Sequence, residues 1–187
     1  MKIKKTVTVI LLMMMMLLQF SFVSANTTRT MDVTLKSANE AVDLSQLTPG
    51  ATFELVVHMD NFQNIEKGIR YMQAQLDYDK TILEYAGIIA QNGWELKDDA
   101  FNQANGKFVV DSNSPVTTAG DAFKIAFRVK ASVEEEVSTT IKLKGIEASG
   151  GDGLILSNDA TIDINVEIPE EPDLPESITS TKYEIAN

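Results

Sequence analysis

The chain has 187 residues, 16 of them basic and 27 acidic, one histidine and no cysteine. The acidic balance argues against nucleic acid and anionic membrane as partners, since both need a basic footprint. The missing cysteines exclude disulfides, thiolate nucleophiles and a lipid-modified cysteine, so the fold must hold by its packed core alone.

The first 25 residues open with Lys2, Lys4 and Lys5, continue through an apolar run over 10–18 and close on Val23-Ser24-Ala25. That is the pattern of a secretory signal peptide, with cleavage expected after Ala25. A membrane anchor needs about 20 apolar residues, and this run is interrupted by Gln19, Ser21 and Ser24. The mature protein is therefore expected outside the cell or on its surface, with no membrane segment. Three of the basic residues leave with the leader, so 13 stand against 27 acids and the mature net charge is about −14.

Residues 26–30 are a polar lead-in. Met31-Asp32-Val33-Thr34-Leu35 alternates apolar and polar, Pro49-Gly50 marks a turn, and 53–59 alternates again. His58 is in phase with Glu54 and Val56, opposite Phe53, Leu55 and Val57, and reads as a surface or rim residue. Over 68–79, Met72, Ala74, Leu76 and Tyr78 alternate with Gln73, Gln75 and Asp77, the period of two of a half-buried strand. Asp79 is placed to cap the turn that follows.

A further strand is expected over 85–90, then a polar loop holding Asn92-Gly93, a short helix-like patch over 95–102 and a strand over 107–111. The stretch 123–130 puts Phe123, Ile125, Phe127 and Val129 on one face with Lys124, Arg128 and Lys130 on the other. Strands over 138–144, with Ile141 and Leu143 inward, and over 161–168 complete the series. Between them, Gly150-Gly151-Asp152-Gly153 reads as a glycine-rich hairpin, because it fits neither the EF-hand loop nor the nonapeptide calcium repeat. From Pro169 the composition turns to spaced prolines and acids, a solvated linker over 169–177. Residues 178–187 resume alternation as the start of a further or truncated module. About nine strands with hardly a helical stripe define an all-β, two-sheet antiparallel β-sandwich over 26–168.

Catalysis finds little support. With no cysteine and one histidine, a nucleophile and base would have to be a hydroxyl beside His58, and no partner motif accompanies it. No cofactor is expected, and a zinc site would lack its nitrogen and sulfur ligands. The acid pairs Asp77/Asp79 and Asp98/Asp99 do not by themselves define a glycosidase. Direct glycan binding through exposed rings would rest on Trp94 and Tyr85, with Tyr71. Trp94 can equally close one end of the sandwich as a buried lid.

The strand ending Leu76-Asp77-Tyr78-Asp79 with Leu83-Glu84 after it, the entry Pro49-Gly50, the strand 123–130 and Ile141-Lys142-Leu143 together resemble a cohesin domain across about 31–168. The resemblance implies a jelly-roll sandwich and a non-catalytic scaffolding role. It further implies capture of dockerin-bearing extracellular proteins, whose folding needs calcium, in polysaccharide degradation. It also implies that the partner lies on the outward residues of the third strand, here Tyr71, Gln73, Gln75 and Asp77. Cohesins often carry Asn and Asp where Tyr71 and Gln73 stand. Binding a polysaccharide directly, through Trp94 and Tyr85, is the alternative.

Overall fold

The computed structural model describes residues 28–96 and 101–170. The leader, Asp98, Asp99 and the end of the chain from 171 lie outside the described residues. Ten strands follow in order: β1 Thr30–Ser37, β2 Thr52–Gln63, β3 Ile69–Asp77, β4 Leu83–Ile89, β5 Trp94–Leu96, β6 Lys107–Val116, β7 Gly120–Val129, β8 Val137–Gly150, β9 Gly153–Leu156 and β10 Ala160–Val166. Hydrogen bonds link them in the path β4-β7-β2-β1-β9-β8-β3-β6-β5, with β10 beside β8. The path folds over where β1 meets β9, a parallel contact at the single pair Thr30 and Leu156. One layer is therefore β4-β7-β2-β1, and the other holds β5, β6, β3 and β8.

Alternation in the sequence becomes burial in the structure. Phe123, Ile125, Phe127 and Val129 of β7, Phe53, Leu55 and Val57 of β2, Met72, Ala74 and Leu76 of β3, and Ile141 and Leu143 of β8 all point into one core. The two inner faces bury each other, which is what makes a sandwich of two amphipathic sheets stable. Phe127 anchors the aromatic part of this core: it stacks on Phe53 at 5.5 Å and meets Tyr78 and Tyr85 edge-on.

Turn chemistry also behaves as the residues dictate. Gly50 has φ +84 and the Ala51 N–H donates to the Thr48 carbonyl, the geometry that Pro-Gly favours. The Asp79 carboxylate accepts from the Thr81 N–H at 2.8 Å and the Thr81 hydroxyl at 2.6 Å. These bonds from Thr81 hold the Asp79 carboxyl below its ordinary range.

Three elements differ from the sequence expectation. The patch over 95–102 begins as strand: Asn92 and Gly93 both take positive φ, and the Trp94 N–H donates to the Gln91 carbonyl. That two-residue hairpin turns the chain back on itself, so Glu95 and Leu96 pair with Asp111 and Val110 of β6. Strand β8 runs past 144 to Gly150, bent at Lys144 and Gly145, where Gly145 has φ +56. The bend lets β10 and β9 lie end to end along β8, and the Asp159 carboxylate accepts the Gly145 N–H at the break. Finally, Gly153–Leu156 is a strand of its own, paired with β8 through the glycine hairpin.

Candidate partner-binding face

Strand β3 is central in its sheet, with β8 on one side and β6 on the other, so its outward side chains sit mid-face. Cross-strand register arranges this face in rows. Leu154, Ser149, Tyr71, Asp111 and Glu95 form one row, crossing β9, β8, β3, β6 and β5. The next holds Leu156, Glu147, Gln73 and Val109. Lys144, Gln75 and Lys107 follow, and then Lys142 beside Asp77. All four residues expected on the partner face thus share one surface.

Its chemistry is graded. Leu154, Tyr71 and Leu156 are 57%, 50% and 42% exposed, and they are three of the four large hydrophobic side chains left exposed among the described residues. Acids lie at the Glu95 and Asp111 side and lysines at the opposite end. Between them the Gln73 amide donates to the Glu147 carboxylate at 2.6 Å, and at the lysine end Lys144 pairs with Asp77. Two shallow hollows lie side by side over these rows. One, of about 180 Å³, is lined by Tyr71, Val109 and Leu154, and the other, of about 410 Å³, by Gln75, Lys107 and Lys144. Gln73, Val109 and Glu147 border both.

Close backbone packing holds the apolar corner in place. A Cβ on Gly150 would run into the Gly68 carbonyl oxygen, so only glycine lets the β8–β9 hairpin lie against the start of β3. On the same hairpin, the Asp152 carboxylate accepts the backbone N–H groups of Glu66 at 2.9 Å and Lys67 at 2.5 Å. The glycine run is thus a hairpin whose acid caps a neighbouring loop.

Sequence reasoning missed Leu154, Leu156, Glu147 and Val109. The signal was present in Leu154-Ile155-Leu156 after a glycine turn. With Ile155 buried, the pleat must expose both leucines.

Of the residues considered for glycan stacking, Tyr71 lies on this face and the other two fall elsewhere. Trp94 is 1% exposed and packs against Phe123, so its ring offers no platform to a sugar and is instead the buried lid. The tight Asn92-Gly93 hairpin turns it inward. Tyr85 is half-buried, stacked on Phe101 at 4.0 Å, and does not form one aromatic strip with Trp94. His58 stands on the outer face of the other sheet, where its Nδ1 meets the Asp121 carboxylate at 2.6 Å and Lys36 approaches the same oxygen at 3.2 Å.

A β-sandwich whose most distinctive surface is a broad sheet face with an apolar corner and a polar, charge-graded remainder has the build of a protein-binding module. Residues 21–168 match the family model of the cohesin domain, and the chain belongs to that family. The solved structures it resembles include the cohesin module of a family 33 glycoside hydrolase from Clostridium perfringens, at 12% identity and a TM-score of 0.59, covering 77% of this chain and 100% of that one. The seventh ScaB type I cohesin from Pseudobacteroides cellulosolvens aligns at 15% identity and a TM-score of 0.53, over 80% and 98% of the two chains. A type I cohesin–dockerin complex from Clostridium thermocellum aligns at 16% identity and a TM-score of 0.51, over 75% and 99%. At such identities the likeness is one of fold. Among curated proteins, none matches this sequence.

Proposed function

We propose that this domain is a non-catalytic scaffolding module that captures a dockerin-bearing protein on the outer face of β9, β8, β3 and β6. We further propose that it is exported by its leader and serves extracellular polysaccharide degradation. The observation that carries this reading is the row Leu154, Ser149, Tyr71, with Leu156 beside it: a tyrosine and two leucines kept in solvent on an otherwise polar sheet. Tyrosine supplies contact area at little entropic cost, and the polar rim of Gln73, Glu147 and Gln75 supplies hydrogen bonds and orientation. The Clostridium thermocellum relative is itself a cohesin in complex with a dockerin, which supports a partner of that class.

The test is calorimetric titration of the full chain with dockerin domains, in calcium and then in chelator. Binding is expected only in calcium, because the partner needs the metal to fold. Tyr71→Ala with Gln73→Ala should weaken it by about 2 kcal/mol or more. An unchanged affinity in that double variant rejects this face as the docking surface.

A further inference from the structure

One cleft among the described residues is far from chemically neutral and shares no residue with the partner face. It has a volume of about 690 Å³ and lies beside β4 and the end of β7. Tyr78, Tyr85 and Phe101 supply its aromatic side, and Lys80, Arg128 and Lys130 its cationic side. Glu84, the cross-strand neighbour of Arg128, is the one carboxylate among the described lining residues. Three cations gathered around aromatic rings run against the acidic balance of the whole chain.

The parts are fixed in place. Tyr85 is held between Phe101, stacked at 4.0 Å, and Phe127, met edge-on. Burial holds its phenol up at about 12, so it remains a neutral hydroxyl at ordinary pH. Lys80 donates to the Gln103 carbonyl at 3.0 Å, and Lys130 to the Lys80 carbonyl at 2.5 Å, which ties both walls of the cleft together. Arg128 is exposed at the mouth. The volume lies in the range of small-ligand sites, large enough for more than one sugar ring.

We infer that this cleft binds a carboxylated oligosaccharide, one whose rings bear uronate groups. Aromatic rings match the apolar C–H faces of a pyranose, and the neutral phenols can exchange hydrogen bonds with its hydroxyls. The planar guanidinium of Arg128 suits a carboxylate in a two-point bond, with the lysine ammonium groups adding charge-assisted bonds. A neutral sugar would make no use of the positive charge of the cleft, and a plain acidic peptide none of its rings. The cleft therefore gives the domain a second ligand, on a different part of its surface from the protein partner.

The experiment is calorimetric titration of the full chain with trigalacturonate, cellotriose and triglutamate. Trigalacturonate should bind at least about tenfold more tightly than either of the others. Arg128→Gln, at an exposed position, should leave the melting temperature unchanged and weaken trigalacturonate at least about tenfold, with dockerin affinity unaffected. Tyr85→Ala should weaken it as well, and unchanged backbone amide spectra of the Arg128 variant separate loss of the site from loss of the fold. Equal binding of triglutamate shows a charge-only site, equal binding of cellotriose shows that the cations play no part, and no heat with trigalacturonate removes the site. Each of these overturns the inference, and none bears on the partner face.

Discussion

The outer faces of the two sheets come from strands of the same amphipathic kind, yet they end in different states. Over β1, β2 and the first half of β7, charges close on one another: Lys124 pairs with Glu54 at 2.9 Å, and Asp121 gathers both His58 and Lys36. On the β3 layer, Lys144 pairs with Asp77 at the lysine end, and the opposite corner presents Tyr71, Leu154 and Leu156 to water. A face that satisfies its own groups has little to gain from a partner. A face that keeps apolar area in solvent gains by covering it, which is why we propose the β3 layer as the binding side.

Five measurements break or sharpen that contrast. Trp94→Ala acts deepest, since it empties a buried site beneath the β3 layer. It should cost about 3 to 5 kcal/mol in denaturant unfolding and leave the affinity of the remaining folded fraction unchanged. Tyr71→Ala with Leu154→Ala should remove about 2 kcal/mol or more of dockerin binding with little change in stability. The matched pair on the opposite layer, Lys36→Ala with Lys124→Ala, should leave that binding as it is and shift stability by less than about 1 kcal/mol. A loss of affinity there would erase the distinction between the faces.

The two smallest effects are read from pH. Burial raises the folded-state pKa of Tyr85 to about 12, above the unfolded value of about 10. Its neutral form is the one folding favours, so stability is complete below about pH 10 and falls as pH rises towards 12. Urea midpoints across that range should fall less in Tyr85→Phe. For Asp121 the sign is opposite. The bond from His58, and then Lys36, lower its pKa in the folded state. Its contribution is complete above the ordinary aspartate value and lost as pH falls through the folded one. The stability gap between the protein and Asp121→Asn should therefore close in acid, with dockerin affinity at neutral pH the same in both.

Much of the sandwich is written in local pattern. Leu76, Phe123 and Ile141 could be placed inward from period-two alternation alone, because the pleat leaves a strand residue only two directions. The same rule put Tyr71, Gln73, Gln75 and Asp77 on one outer face before any partner strand was known. Local pattern misread Glu95 and Leu96 as the start of a helix-like patch, where the Asn92-Gly93 hairpin continues the sheet. The resemblance to cohesins rested on core and turn residues, so it carried the fold further than it carried the site.

Sequence by itself determined the alternation of the main strands, the turns at Pro49-Gly50 and Asp79, and the outward phase of the β3 residues, all of which follow from near neighbours along the chain. Only the tertiary structure decided that Leu154 and Leu156 stand beside Tyr71, that Trp94 is buried, and that Tyr85 and Phe101 share a cleft with Lys80, Arg128 and Lys130. Those facts depend on which strands pair and in what register, and pairing between segments distant in the chain is set by how the whole core closes.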